Sequence, residues 1–233
     1  MKMQINPKIS IITVVFNGEK FLEETIQSVI SQTYDNIEYI IIDGGSTDGT
    51  IDIIKKYEDK LSYWISEPDG GIYNAMNKAL KISTGDGILF LNAGDYFVGS
   101  VITKSITVPC FLPVKYVNYF GKLIKIKIKS HYFGLPTSHQ GIDFENKEIK
   151  YNLSYEVASD YDYFLNFKYT NKLKYINSKG YVYYDNNGFS KKNLIKRDRE
   201  LSLIIYKNFG IFYILIFKLK NMTKFIARNI LKK

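Results

Sequence analysis

Ile40-Ile41-Ile42-Asp43-Gly44-Gly45-Ser46-Thr47-Asp48-Gly49-Thr50 and Ile88-Leu89-Phe90-Leu91-Asn92-Ala93-Gly94-Asp95 decide how this chain is read. Each is a greasy run that stops at an acidic, glycine-bearing turn. Short apolar runs of this kind read as strands buried on both faces, as in a parallel sheet. In an open parallel sheet, ligands sit in the crevice beyond the carboxyl ends of the strands. A carboxylate fixed there can hold a nucleoside or a metal. Two of them, about fifty residues apart, point to one pocket for a nucleotide and its metal ion.

Outward from these turns, the pattern alternates. Ile9 to Phe16 is a third apolar run, ended by Asn17-Gly18. Phe21 to Ile30 carries apolar residues at 21, 22, 26, 29 and 30, a helical period. Ile37 to Ile42 is the strand before the first acidic turn. Ser46, Thr47 and Asp48 can cap a helix from Thr50 to Tyr57. A short strand is expected over Leu61–Ile65, a helix over Gly71–Ile82 and a buried strand over Gly87–Leu91. Strands alternating with helices predict an α/β fold with a mostly parallel central sheet flanked by helices. Residues 96–135 hold six lysines and no acid, and Leu123–Lys129 alternates like an exposed strand. Tyr151–Phe167 reads as helix and Lys174–Tyr184 as strand, followed by a helical tail. There is no internal repeat.

Composition narrows the function classes. The single cysteine, Cys110, excludes an internal disulfide framework and a cysteine-built zinc site, and suits a reducing compartment. Met1–Ser10 has no long apolar run, so no signal peptide is expected. The formal charge is +9, and it is unevenly placed. Residues 191–233 carry 12 Lys/Arg against 2 acids, while residues 1–190 carry 20 against 21. A nucleic-acid-binding body would carry its own basic stripe, so no nucleic acid partner is expected. The charge points instead to an anionic surface met by the tail.

The ordered set Ser10–Asn17, Asp43–Thr50, Glu67-Pro68-Asp69-Gly70-Gly71-Ile72-Tyr73-Asn74-Ala75-Met76-Asn77-Lys78, Leu91–Asp95, Ser138-His139-Gln140 and Ala158-Ser159-Asp160-Tyr161-Asp162 resembles the family 2 glycosyltransferases of bacterial capsule, exopolysaccharide and O-antigen assembly, which have the GT-A fold. The likeness runs from residue 9 to about 190. It implies one catalytic domain over 1–190, with a donor half to about residue 95 and an acceptor half after it. A tail over 191–233 follows.

The resemblance assigns roles. Donor contacts are implied for Thr13, Val15, Asn17, Glu19, Asp43, Ser46, Asp69, Gly71, Asn77, Asn92 and Ala93. Asp43 resembles the aspartate that accepts a hydrogen bond from the base; by itself it reads equally well as a turn cap. Asp69-Gly70-Gly71 opens a helix whose N-terminus favours phosphate, though a tight turn explains the glycines too. Asn92-Ala93-Gly94-Asp95 takes the place of the family's metal-binding turn. It keeps one carboxylate, so Asp95 is the expected ligand of a divalent Mn2+ or Mg2+ ion. Asp160 matches the catalytic base, with Asp162 its competitor; on a helix the two point about 200° apart. His139, Gln140 and Asp162 are expected on the acceptor side, although a lone histidine is more often a satisfied interior one.

In the tail, Lys220, Lys224, Arg228 and Lys232 repeat every four residues, and Leu215, Leu219, Met222, Ile226 and Ile230 follow a 3-4 spacing. No acid follows Glu200. Residues 203–233 are therefore expected to lie on an anionic membrane surface, and the run Ile211–Phe217 is far short of the roughly 20 residues needed to span. The alternative is a helix packed on the body with its lysines in water.

The expected activity is an inverting, metal-dependent hexosyl or N-acetylhexosaminyl transfer. The donor is a nucleotide-sugar, a UDP-sugar by preference, and the acceptor a lipid-linked or growing saccharide at the cytoplasmic face of the membrane. Two other readings stand beside it: a sugar-nucleotidyltransferase, whose glycine-rich basic loop is poorly matched by Asn17-Gly18-Glu19-Lys20, and a non-catalytic membrane-associated binding module.

Overall fold

The computed structural model describes residues 6–104, 106–117, 121–127, 131–133, 135–145, 148–167, 173–185 and 193–230. The first half follows the alternation read from the sequence. Strand β1 (Ile9–Val15) leads to helix α1 (Leu22–Ile30), then β2 (Ile37–Asp43), α2 (Thr50–Lys56), β3 (Tyr63–Ser66), α3 (Ile72–Ile82) and β4 (Gly87–Phe90). The second half is built from short pieces: β5 (Tyr96–Val98), β6 (Cys110–Phe111), β7 (Val114–Val117), β8 (Leu123–Lys125), β9 (Ile142–Glu145), α4 (Ser159–Asn166), β10 (Lys174–Tyr175) and β11 (Tyr181–Tyr183). Helices α5 (Leu194–Phe209) and α6 (Ile211–Ile230) close the chain.

Seven strands form the central sheet in the order β10-β6-β9-β4-β1-β2-β3. The pairs β1·β2, β1·β4, β2·β3 and β10·β6 are parallel; β9 runs antiparallel to β4 and to β6. A second, four-stranded sheet has the order β5-β11-β7-β8.

Both faces of the central sheet are covered, which is why its strands lack a polar alternation. Ile12, Val14, Ile40, Ile42, Ile88 and Phe90 point to one side, where α3, α4, α5 and α6 pack. Ile9, Ile11, Val15, Tyr39, Ile41 and Leu89 point to the other, against α1, α2 and the small sheet. Each fully buried Ile or Phe contributes about 1.5–3 kcal/mol by leaving water. Thr13 lies in this second face and makes its polar group tolerable there by donating to the Leu91 carbonyl at 2.8 Å and meeting the Tyr39 hydroxyl at 3.1 Å.

Three expectations change. Tyr151–Ala158 is not helical, and α4 begins only at Ser159. Ser154 is held in a turn by Asn152 Oδ1 through its N–H and its hydroxyl. The strand expected over Lys174–Tyr184 is split into β10 and β11. The tail is two helices, broken at Gly210, whose φ of +85° is a conformation glycine adopts without strain. The capping side chain expected for α2 is supplied by Asp48: Gly49 is the N-cap residue, and Asp48 Oδ1 one residue earlier accepts from the Thr50 N–H at 3.1 Å. The Leu123–Lys129 strand holds as Leu123–Lys125; Ile128 and Lys129 lie outside the described residues, as do the side chains of Lys224, Ile226, Arg228 and Ile230, and Lys232 entirely.

The tail also shares the body's core. Ile204 and Ile205 of α5 and Phe217 of α6 are buried in the same cluster as Ile12, Ile40 and Phe90.

Candidate functional site

The carboxyl ends of β1, β2 and β4 are neighbours in the sheet, so the turns that follow them meet. The Gly44 N–H donates to the Val15 carbonyl at 2.9 Å, and the Ala93 N–H approaches the Val14 carbonyl at 3.5 Å. Asn17 turns the chain after β1 in a left-handed conformation (φ +49°), which asparagine tolerates better than most residues. Its N–H donates to Ser46 Oγ at 2.7 Å, and its Oδ1 accepts from the Thr47 N–H at 2.9 Å. Glu19 lies over Gly49, where a β-carbon would meet its carboxylate at 2.8 Å. Val15, Asn17, Glu19, Ser46 and Ala93 therefore sit together at one rim.

Asp43 is fully buried beneath that rim. Its carboxylate accepts from the N–H groups of Gly45 and Ser46, from Ser66 Oγ at 2.6 Å and from Ser46 Oγ. Oδ2 takes three of these bonds and Oδ1 one, so most of the carboxylate's acceptor sites, about four in all, are spent on holding the turn and Ser66 of β3. Asp69 faces it across Gly44, whose β-carbon would stand 3.0 Å from Asp69 Oδ2. Asp69 Oδ1 accepts from the Gly71 N–H at 2.7 Å, which fixes the start of α3.

Asn92 and Asp95 form the turn after β4. Asn92 Oδ1 is buried and lacks a hydrogen-bond partner, and such an oxygen is costly unless something fills the place. Asp95 is 5% exposed. Its Oδ1 accepts from the Asp185 N–H at 2.8 Å, and the Gln140 side chain lies within reach of the same carboxylate. Burial, with the Asp185 charge adding to it, pushes the Asp95 carboxyl up to about 8. A neighbouring cation would reverse that shift. Among the described residues no group of three His, Cys, Asp or Glu side chains is arranged for a metal. The oxygens of Asn92 and Asp95 nevertheless suit a hard divalent ion whose remaining ligands come from a diphosphate.

Asp160 stands at the first turn of α4 and Asp162 behind it. Asp160 accepts from the Tyr161 N–H at 2.8 Å, and the Tyr73 hydroxyl is within hydrogen-bond reach of its carboxylate. Burial pushes this carboxyl up to about 6, against those hydrogen bonds and the Arg197 charge. Asp162 turns the other way. It is buried against Asn166, which donates to it at 3.1 Å, and feels Lys207 of α5. The two aspartates thus separate as the helical period requires, and Asp162 does not share the place of Asp160.

Tyr184 links the pieces. Burial raises its hydroxyl to about 12, and the charges of Asp95, Asp160 and Asp185 add to the rise while Arg197 opposes it. Both carboxylates are thus felt at Tyr184, whose neighbour Asp185 is bonded to Asp95. On the other expected residues the protein itself has the prior claim. His139 is buried, stacked on Phe90 at 4.9 Å, and its Nε2 meets the Tyr151 hydroxyl at 2.7 Å. Desolvation lowers it to about 3, so it is a neutral interior histidine. Asn77 spends both ends of its amide on the Tyr151 backbone, at 3.0 and 2.8 Å. Gln140 is held by Ser138 and braces Asp95. Tyr73, Tyr151, Tyr184, Asp185, Arg197 and Glu200 all bear on the site and were not singled out from sequence. Only Tyr73 lay inside a quoted motif.

Comparison with known proteins bears on the family and the fold. Residues 10–107 match the family described as Glycosyl transferase family 2. The chain is 42% identical over 99 residues to an Escherichia coli protein named UDP-Glc:alpha-D-GlcNAc-diphosphoundecaprenol beta-1,3-glucosyltransferase WfaP; the match covers 42% of this chain and 39% of the relative. The chain spans well under two thirds of the curated relatives it matches, the span being 36% for an uncharacterized glycosyltransferase of Mycobacterium tuberculosis at 44% identity. In fold it resembles Staphylococcus aureus TarS 1-349 in complex with UDP-GlcNAc, with a TM-score of 0.63 at 20% identity over 85% of this chain and 66% of that one. It likewise resembles a Pyrobaculum calidifontis mannosyltransferase in complex with GDP-Man and Mn2+, with a TM-score of 0.61 at 16% identity over 86% of this chain and 64% of that one. Residues 10–107 thus carry the likeness to the family 2 glycosyltransferases, and the chain as a whole shares the fold of the solved glycosyltransferases it resembles.

Proposed function

We propose that this chain is an inverting glycosyltransferase that moves a sugar from a nucleotide-diphosphate donor, a UDP-sugar by preference, to a lipid-linked or saccharide acceptor. The observation that carries the reading is the Asp185 N–H bond to Asp95 Oδ1, which sets the turn after β4 beside Tyr184, a residue at which the Asp160 charge is also felt. One carboxylate belongs to a turn suited to a metal-bound diphosphate; the other stands free of that turn. The names of the relatives support the donor and acceptor classes: WfaP names UDP-Glc and a diphosphoundecaprenol-linked sugar, and TarS was seen with UDP-GlcNAc.

In the mechanism, Asp160 takes the proton from an acceptor hydroxyl as that oxygen bonds to the anomeric carbon. The bond from that carbon to the diphosphate oxygen breaks, and the nucleoside diphosphate departs from the opposite side. A base near its working pH is the efficient one, and about 6 suits Asp160 to this role. A divalent ion, when bound at Asn92 and Asp95, supplies positive charge for the leaving diphosphate; the Mn2+ in the mannosyltransferase structure supports that choice. The rim around Asn17, Ser46 and Asp69 receives the nucleoside, with Asp43 holding the turn beneath it. Gly71 and the start of α3 lie towards the phosphates.

The membrane setting belongs to the same proposal. Helices α5 and α6 leave Leu203, Ile211, Phe212, Leu215, Leu219 and Met222 exposed, with Lys207, Lys218 and Lys220 among them. No described helix is long and apolar enough to cross a membrane. A helix pair of this kind lies in the headgroup plane of an anionic leaflet, here the inner face of the cell membrane. Release of UDP from a panel of UDP-sugars, with Mn2+ and a lipid-linked acceptor, tests the activity. Turnover by one donor, lost with EDTA, supports it; inertness towards every nucleotide-sugar and acceptor tried counts against it.

A further inference from the structure

Glu200 belongs to α5, beyond the motifs that carry the family likeness, and it is buried on the face that packs against the body. Its Oε1 accepts from the Glu156 N–H at 3.0 Å, and its Oε2 accepts from the N–H groups of Val157 and Ala158, both at 2.8 Å. Those three residues are the last before α4, and Ala158 is its N-cap, which has no side-chain cap of its own. The segment they end, Tyr151–Ala158, is irregular, so its N–H groups have no helix or sheet to satisfy them. Asp160 follows two residues later.

We propose that Glu200 is a positioning residue for catalysis: its carboxylate sets the entry of α4 and thereby the place of Asp160 in the site. The inference rests on the reading of Asp160 as the base. Charge-assisted hydrogen bonds to a carboxylate are the strong kind, and three of them converge on one short stretch. The second anchor of the same helix is Ser159 Oγ, which donates to the Asn152 carbonyl at 2.9 Å. The third is Tyr73, whose hydroxyl lies within reach of the Ser159 and Asp160 backbone. Of these, only Glu200 is supplied by the tail. Helix α5 thus completes the site rather than serving only as an anchor.

The groups that face Asp160 are Tyr73 of α3, Tyr151 ahead of α4, Tyr184 beyond β11, and Arg197 of α5; the Glu200 charge is felt at Tyr73. Replacing Glu200 by Gln removes a negative charge and places an amide N–H₂ against backbone donors. Both changes favour an ionised, better-solvated Asp160, so the acidic limb of the rate profile moves to lower pH.

The test measures kcat, KM, donor affinity and the pH profile of the full chain for wild type and the variants E200Q, E200D, K196Q and D160N. The expected result for E200Q is a kcat at least 10-fold lower, donor affinity within 2-fold, and an acidic limb shifted down. E200D, which keeps the charge but is one methylene short, recovers part of kcat and the wild-type limb. K196Q breaks only the exposed ion pair between Lys196 and Glu156 and behaves as wild type. If E200Q lowers the melting temperature but leaves kcat and the limb unchanged, Glu200 is a structural cap and the inference is overturned. If E200Q does not fold, E200D carries the decision: a wild-type kcat there overturns the inference equally. D160N separates the two levels: should it retain wild-type turnover, the base assignment itself falls, whatever Glu200 does.

Discussion

Asp95 and Asp185 are joined across the site: the Asp185 backbone N–H donates to Asp95 Oδ1 at 2.8 Å, so the turn after β4 and the chain leaving β11 share one carboxylate. This bond brings the first half and the later half of the chain to one point. Asp95→Asn keeps an acceptor for that N–H and loses the charge. The fold is expected to survive, with the melting temperature within a few degrees of wild type. Transfer is expected to fall about 100-fold or more, the scale seen when one preorganised electrostatic group is removed. Initial rates at saturating Mn2+ check this, and near-wild-type turnover would remove Asp95 from the diphosphate site.

Asp160 must be ionised to accept a proton. Its carboxyl sits at about 6 because burial outweighs the hydrogen bonds and the Arg197 charge. The value of kcat/KM is therefore expected to fall tenfold per pH unit below about 6 and to be flat just above it. Asp160→Asn abolishes that limb and lowers kcat by about 10²–10⁴-fold. A wild-type profile that stays flat to pH 5 would exclude Asp160 as the titrating base.

Asp143 lies far from this chemistry, at the other end of β4. It is fully buried, opposite Cys110 in the β6·β9 pairing, and neither carboxylate oxygen has a hydrogen-bond partner; the Ile88 N–H approaches without reaching bonding geometry. Burial holds its folded pKa well above the ordinary value. The sign follows: its contribution to stability is fully present below the unfolded carboxyl value, near 3.9, and is lost as pH rises towards the folded one. Asp143→Asn mimics the neutral acid. It is expected to raise stability at pH 8 by at least about 1.4 kcal/mol, the cost of one unit of upward pKa shift, and so to raise Tm by at least about 3 °C. The gain vanishes at pH 3.5. Melting curves at the two pH values check it; equal effects at both would refute the linkage.

The tail proposal makes a separate demand. Phe212, Leu215 and Leu219 are exposed by 66%, 55% and 57%, so their replacement by Asp leaves the core untouched. Flotation with anionic vesicles is expected to drop at least 10-fold in the triple variant, and in wild type to weaken with salt as Lys-lipid attraction is screened. Equal flotation of both proteins would show that this face is not the contact.

The first half of the fold was legible because β1, β2 and β4 are largely Ile, Val and Leu and are almost wholly buried, and α1 and α3 repeat their apolar residues with a clean period. Boundaries for α1 and α3 differ from the expected ones by a single residue. The second half was not legible in the same way. Its strands β5, β6, β8, β10 and β11 are two or three residues long, too short for any period, and all but β8 pair with strands far along the chain. Tyr151–Ala158 reads as helix until its N–H groups are seen to be taken by Glu200, more than forty residues away.

The site divides in the same way. Asp95 and Asp160 were visible through ordered motifs, and burial raises the carboxyls of both. Asp43 was read as a base contact or a turn cap, and the turn holds its carboxylate. His139 was read as an acceptor residue or an interior one, and Tyr151 and Phe90 enclose it. Glu200 left one trace: an acid four residues before Ile204, on the buried stripe of an amphipathic helix. A lone acid on an apolar face asks for a partner, and that signal could have been followed.

The central claim is that one pocket holds a nucleotide-sugar through the Asp95 turn while Asp160 faces the sugar. It is tested most directly by a crystal structure with a non-hydrolysable UDP-sugar and Mn2+, reading the anomalous peak of the metal. The account predicts that peak within about 2.0–2.2 Å of an Asp95 oxygen, the diphosphate against it, and the Asp160 carboxylate on the face of the anomeric carbon opposite the diphosphate. A nucleotide bound elsewhere, or an anomeric carbon turned away from Asp160, would contradict it.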